Sequence, residues 1–255
     1  MLFQDGYIFH YLDSGEWEMT FQVALRGSDG IILASDKQTA FNDVLRLARE
    51  PRTMRWLSMG SKVQVSKLHN VVIGMAGSEL SAMAADFLLE KLDSGTSLDG
   101  EMTSVMRNAA NDAARQFFGP LDESKPLSEN RAGSTLLVIA PDNPACQIFR
   151  VDVSQRSFVH PIDAKAFAGD CANPAMFFVE RYYDELNLRP IMDLRLIAAH
   201  TIFMGAKLTN LIKGLEMLVC RKGQRPESLP DRDIESLAEQ ARQVDEKLKQ
   251  SLFYE

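Results

Sequence analysis

The chain predicts an α+β domain in which two sheets pack face to face with helices outside, a four-layer αββα sandwich. Three observations predict it. Strand-like runs come in pairs around short turns, and paired helical stretches are inserted between those hairpins. Several strands are also continuous apolar runs, which need cover on both faces where a half-exposed strand would alternate.

Each element has a local reason. FQVALR (21–26) alternates apolar and polar residues, Ser28-Asp29-Gly30 supplies turn chemistry, and IILAS (31–35) reads as a buried strand. KVQVSKL (62–68) alternates again, His69-Asn70 can turn, and VVIGMAG (71–77) is apolar enough for a strand covered on both faces. Ser78 is placed to cap a helix in which Leu80, Met83, Ala84, Phe87, Leu88 and Leu92 recur at helical spacing. A second helix covers 101–118 and stops at Gly119-Pro120. STLLVIA (134–140) and CQIFRVDV (146–153) make a third hairpin around Pro-Asp-Asn-Pro. Helices follow at about 173–187 and 191–208, then a strand at LEMLVCR (215–221), a polar loop over 222–232 and a charged helix over 233–252.

Composition narrows the function. A net charge of −7 argues against nucleic acid as the main partner, since phosphate binders carry broad basic surfaces. Cys146, Cys171 and Cys220 are odd in number and far apart, and the four histidines show no ligand-type pairing. That pattern predicts a reducing compartment with neither disulfides nor a metal site. No apolar run is long enough for a membrane helix, and residues 1–18 are acidic without an apolar centre, unlike a signal peptide. The expectation is a cytoplasmic protein with no cofactor.

TFQVALRGSDGIILASDKQT (20–39) and SKVQVSKLHNVVIGMAGS (61–78), together with the element order through about residue 221, resemble a proteasome-type β subunit, a member of the N-terminal-nucleophile hydrolases. Within that family the chain looks nearest to the bacterial homo-oligomeric branch, HslV and the betaproteobacterial proteasome homologue. The long insert before Lys62 and the C-terminal extension favour the second.

The resemblance implies a catalytic set of Thr20, Asp36 and Lys62, with backbone N–H groups at Ala76 and Gly77, in the Met75-Ala76-Gly77 turn, receiving an oxyanion. The residue types suit that chemistry. A threonine hydroxyl needs a base, and its own α-amine can serve when it is the first residue. An α-amine titrates at roughly 7.7–8.0, so part of it is neutral near pH 7. Lys62, held by Asp36, would favour the neutral amine and stabilise a developing alkoxide. Residues 1–19 must then be absent from the active form, as a propeptide or because Met19 is the true start. The domain proper spans 20–222, with a helical extension over 223–255.

Two departures from the family pattern bear on turnover. FAGDCANPA (167–175) places Asp170 or Cys171 about where active relatives have an assisting serine, though Asp170 can equally be a helix cap. A later serine-glycine element has become Thr209-Asn210-Leu211-Ile212-Lys213-Gly214.

The implied function is a self-compartmentalising threonine endopeptidase. It would form a homo-oligomeric double ring, a tetradecamer or dodecamer, fed with unfolded polypeptide by an AAA+ unfoldase. A catalytically weak ring scaffold and an amidase of small amides are the alternatives. Between Asp36 and Lys62, Arg46, Arg49, Arg52 and Arg55 recur every third residue. On a helix they would form a basic stripe contacting acidic substrate segments, although Pro51 should break such a helix.

Overall fold

The computed structural model describes residues 20–47, 50–94, 102–119, 134–144, 147–154, 156–169, 173–209 and 212–253, with 39–58 and 252–253 followed along the backbone only. The first hairpin forms as read, β1 (Phe21–Arg26) pairing antiparallel with β2 (Ile31–Ser35) so that Ala24 stands opposite Leu33. Gly27 N donates to Gly30 O at 2.7 Å and closes the turn.

The next segment differs from the helix that the arginine spacing suggests. β3 (Gln38–Leu47) and β4 (Glu50–Met59) form a two-stranded antiparallel ribbon, in register from Gln38–Met59 to Leu47–Glu50. Thr39, Phe41, Val44, Thr53 and Trp56 are strand formers, and Pro51 cannot supply the N–H a helix interior needs but is tolerated in an edge strand.

β5 (Val63–Val65) and β6 (Val72–Ala76) make the second hairpin and lead into α1 (Glu79–Asp93), whose cap Ser78 accepts from Leu80 N at 3.3 Å. Then come α2 (Met102–Phe118), β7 (Ser134–Ile139) and β8 (Ile148–Val153). β9 (Phe158–Ile162) and β10 (Lys165–Gly169) have no separate place in the sequence reading. β9 is a short, largely exposed edge strand containing Pro161, so no periodic burial marks it.

α3 (Met176–Tyr182) is shorter than the 173–187 stretch. Tyr183 turns extended and its hydroxyl donates to Arg26 O at 2.7 Å and Ala164 O at 3.0 Å. α4 (Ile191–Leu208), β11 (Glu216–Cys220), a two-residue strand β12 (Glu227–Ser228) inside the expected loop, and α5 (Asp231–Phe253) complete the chain.

Two five-stranded antiparallel sheets result, ordered β10-β1-β2-β11-β12 and β5-β6-β7-β8-β9. The chain changes sheet across Asp163 and Ala164, between β9 and β10. The fold is α+β. No helix among the described residues is long and apolar enough to cross a membrane.

Side-chain parity explains the continuous apolar runs. In β2, Ile32 and Ala34 join a cluster with α3 and α4, whereas Ile31 and Leu33 join one shared by residues of both sheets. In β7, Leu136 and Val138 pack with α1 and α2, whereas Leu137 and Ile139 enter the shared cluster. A strand buried on both faces has no solvent side to write in polar residues. Each fully buried leucine or isoleucine contributes about 1.5–3 kcal/mol, so these clusters dominate the stability.

α5 lies against α4 through Leu237 and Ala241, both buried. A polar latch flanks that contact. Asp245 Oδ1 lies 2.7 Å from His200 Nε2, and Lys207 Nζ donates to Asp245 Oδ2. The Phe178 ring stacks on His200 with centroids 4.0 Å apart.

Burial pushes the Asp245 carboxyl up, but its bonds to Lys207 and His200 outweigh this and hold it below its ordinary 3.8. A depressed folded value means stability that is present above 3.8 and lost as pH falls through the folded value. Asp245→Asn should therefore lower stability by about 1 kcal/mol at pH 7. In urea unfolding the gap to the parent chain should close as pH falls below the ordinary carboxyl value.

Candidate active site

The β1–β2 pairing brings Thr20, just before β1, to the end of β2 where Asp36 sits. Phe21 N donates to Asp36 Oδ1 at 2.9 Å, and Asp36 N donates back to Phe21 O at 3.2 Å. Gln38 N donates to Asp36 Oδ2 at 3.2 Å. Lys62, immediately before β5, reaches in from the other sheet. Its Nζ lies 3.0 Å from Asp36 Oδ2, 3.1 Å from Asp36 Oδ1 and 3.0 Å from Thr20 Oγ1. Thr20, Asp36 and Lys62 are 4%, 0% and 6% exposed, so the group is buried.

Burial pushes the Asp36 carboxyl up from its ordinary range, while the Lys62 ammonium and the N–H groups of Phe21 and Gln38 pull it back. A hydroxyl placed beside an ammonium in such a site can carry developing negative charge at little cost, which is what a nucleophile or an oxygen donor to an acyl group requires.

The main chain holds the lysine in place. Lys62 N donates to Glu216 Oε1 at 2.8 Å, and Met75 N donates to Lys62 O at 2.8 Å. Glu216 opens β11 and is pushed up by burial, with hydrogen bonds from Ser61 and Lys62 N acting against that. Ala76 is buried at the end of β6, and Gly77 follows with φ +103°, a conformation that favours glycine. β10 approaches from the other side. Gly169 pairs with Phe21 at φ +88°, and a Cβ there would lie 1.8 Å from Thr20 O.

Three residues here escape the sequence reading. Glu216 begins a strand like any solvated glutamate, and Gly169 reads as the end of a run. Gln22 holds the polar place in an alternating FQVALR, which assigns it to solvent, yet it is 0% exposed because its face of β1 is covered by the second sheet. The coverage of both faces was the signal that could have placed it.

Asp170, Cys171 and Arg49 lie outside the described residues. Arg46, Arg52 and Arg55 stand in the β3–β4 ribbon opposite Pro51, Leu45 and Asn42, so the helical stripe is corrected to strand backbone. Of the altered serine-glycine element, Thr209 ends α4 and Gly214 takes φ +71°, while Asn210 and Leu211 are outside the described residues. No group of three or more His, Cys, Asp or Glu side chains suited to a metal is gathered among the described residues.

No protein-family model matches the chain, and no curated protein matches it in sequence. Solved structures do. A Gly-1 mutant of Anbu from Hyphomicrobium sp. strain MC1 aligns with a TM-score of 0.67 at 13% identity, covering 92% of this chain and 97% of its own. Anbu, described as an ancestral β-subunit, from Yersinia bercovieri aligns at 0.66 with 13% identity and the same 92% and 97% coverage. Another Anbu structure from the Hyphomicrobium strain aligns at 0.61 with 11% identity.

The chain therefore has a proteasome-like β-subunit fold, and at such identity the likeness carries the fold alone. The branch expected from the motifs is corrected. The solved structures named above are all Anbu, and at 11–13% identity they support the shared fold without assigning the chain to the HslV or betaproteobacterial branch. The insert before Lys62 and the C-terminal extension are not grounds for the second branch. With 92% of the chain aligned, too little remains outside for both to be foreign to the Anbu fold.

Gly169→Ala should displace Thr20 and lose about 2 kcal/mol or more, combining positive-φ strain with a main-chain clash. Gly119→Ala, at φ +81° with nothing within 4 Å of the new methyl, should lose less. Urea unfolding of both variants checks the difference.

Proposed function

We propose that this chain is a threonine-type endopeptidase acting through Thr20 as its first residue. The observation that carries the reading is Lys62 Nζ standing 3.0 Å from both Thr20 Oγ1 and Asp36 Oδ2 in a buried site. A nitrogen inside a peptide bond cannot accept a proton, so residues 1–19 are removed in the active form.

The α-amine of Thr20 then takes the hydroxyl proton as Oγ1 attacks a peptide carbonyl. Lys62 stabilises the alkoxide, and the N–H groups of Ala76 and Gly77 receive the oxyanion. The α-ammonium returns its proton to the leaving amine, leaving an acyl ester on Thr20. Water activated by the same amine hydrolyses that ester.

The proteasome-like fold supports a four-layer αββα arrangement and self-association into a homo-oligomeric double ring in the cytoplasm. Unfolded polypeptide would be the substrate and an AAA+ unfoldase its source. The β3–β4 ribbon, with Arg46, Arg52 and Arg55, would contact acidic segments entering the chamber. A second reading, a ring scaffold with weak or no turnover, is favoured by the replacement of the serine elements at 170–171 and 209–214.

Thr20→Ala should abolish peptide hydrolysis while leaving assembly intact, because removing one small side chain disturbs little packing. Lys62→Ala should lower kcat/KM by on the order of 10³-fold or more, as for other members of a cooperating catalytic unit. Full activity in Thr20→Ala would move the nucleophile elsewhere. An inactive parent chain that still forms rings would favour the scaffold, and an active monomer would favour a small-amide hydrolase.

A further inference from the structure

We propose that Gln22 is a positioning residue that fixes the distance between the nucleophile strand and the oxyanion turn, an inference resting on the reading of Thr20 above. Gln22 lies two residues past Thr20 and is 0% exposed. Its neighbours Phe21 and Val23 face the helices of the first sheet, so Gln22 points with Ala24 towards the second sheet.

Its amide Nε2 lies 3.0 Å from Ser35 Oγ, 3.1 Å from Met75 O and 3.4 Å from Lys62 O. Two of those partners are carbonyl oxygens, which only accept, so the nitrogen and not the oxygen must face them. Ser35 Oγ donates onward to Asp36 O at 2.9 Å and has a lone pair left for Gln22.

One amide nitrogen therefore links the segments that carry the proposed machinery. It is carried by the strand of Thr20, bonded beside Asp36, and set on the carbonyls of Lys62 and of Met75, the residue before Ala76 and Gly77. Met75 N already donates to Lys62 O at 2.8 Å, so Gln22 sits on the link between the lysine and the oxyanion turn.

Packing holds the amide in this pose. A Cβ on Gly74 would meet Gln22 Oε1 at 2.6 Å, so the glycine leaves room for the amide in this pose and a larger residue would push its end aside. Gln22 Oε1 is buried without a hydrogen-bond partner among the described residues. An unpaired buried acceptor is unfavourable, and it is tolerated here for the contacts the nitrogen makes.

Small displacements at a reacting centre are expensive, about 10²-fold in rate for a shift of about 1 Å. Gln22→Leu keeps the volume and removes the donor. It should lower kcat by roughly 10–100-fold with KM within about twofold. Gln22→Glu keeps the shape but can donate to Met75 O only when protonated, so its activity should approach the parent's at acidic pH and fall as the buried carboxyl ionises.

Unchanged kcat and KM in Gln22→Leu, whatever its melting temperature, would overturn the proposal. If that variant does not fold, a Gln22→Glu pH profile parallel to the parent's would overturn it instead. A parent chain that hydrolyses no peptide counts against the reading of Thr20. Crystal structures of parent and Gln22→Leu then decide the positioning claim alone: the Lys62 Nζ–Thr20 Oγ1 separation should widen from 3.0 Å to beyond hydrogen-bond range, and an unchanged distance would refute it.

Discussion

The ion pair between Lys62 and Asp36 is the constraint around which the rest is arranged. Both groups are withdrawn from water, and a buried charge stripped of its partner costs about 3–5 kcal/mol. The carboxylate meets its need with the ammonium and two main-chain donors, Phe21 N and Gln38 N. Those donors exist only because β1 and β2 pair in one register and the chain turns at Lys37. The ammonium can reach the carboxylate only because the second sheet carries Lys62 to the end of β2, the central strand of the first. Glu216 and Met75 hold the lysine's own backbone there. The hydroxyl of Thr20 is the third vertex, and its strand is closed in by Gly169, where no other residue fits.

Much of this was legible in the sequence, and the reasons are physical. The two sharp motifs contain both the hairpin and the lysine strand, so Thr20, Asp36 and Lys62 could be named from the resemblance those motifs carry. Long apolar helices such as α4 were bounded by periodicity. The remainder was hidden because its signal is tertiary. Gln22 obeys the alternation of a half-exposed strand, and only the cover supplied by the second sheet turns it inward. Glu216 and Gly169 look ordinary until β11 and β10 are placed beside β2 and β1. The β3–β4 ribbon was obscured by charge and by Pro51, which weaken a strand pattern without supporting a helix.

Two regions answer to different demands. The interior between the sheets is apolar except at the end that holds the ion pair and Gln22, so polarity is concentrated where chemistry would occur. The far side of the first sheet carries α4 and, outside it, α5, fastened by a small apolar contact and the His200–Asp245–Lys207 latch. Loss of that latch would loosen an outer helix without touching the site.

The central claim is that Thr20 is an N-terminal nucleophile served by Lys62. Intact mass spectrometry after incubation with a peptide epoxyketone tests it most directly, because the stable adduct requires a hydroxyl and a free α-amine on one residue. A chain beginning at Thr20 and carrying one inhibitor is expected. An unmodified chain, or an adduct on a chain that retains residues 1–19, would contradict it.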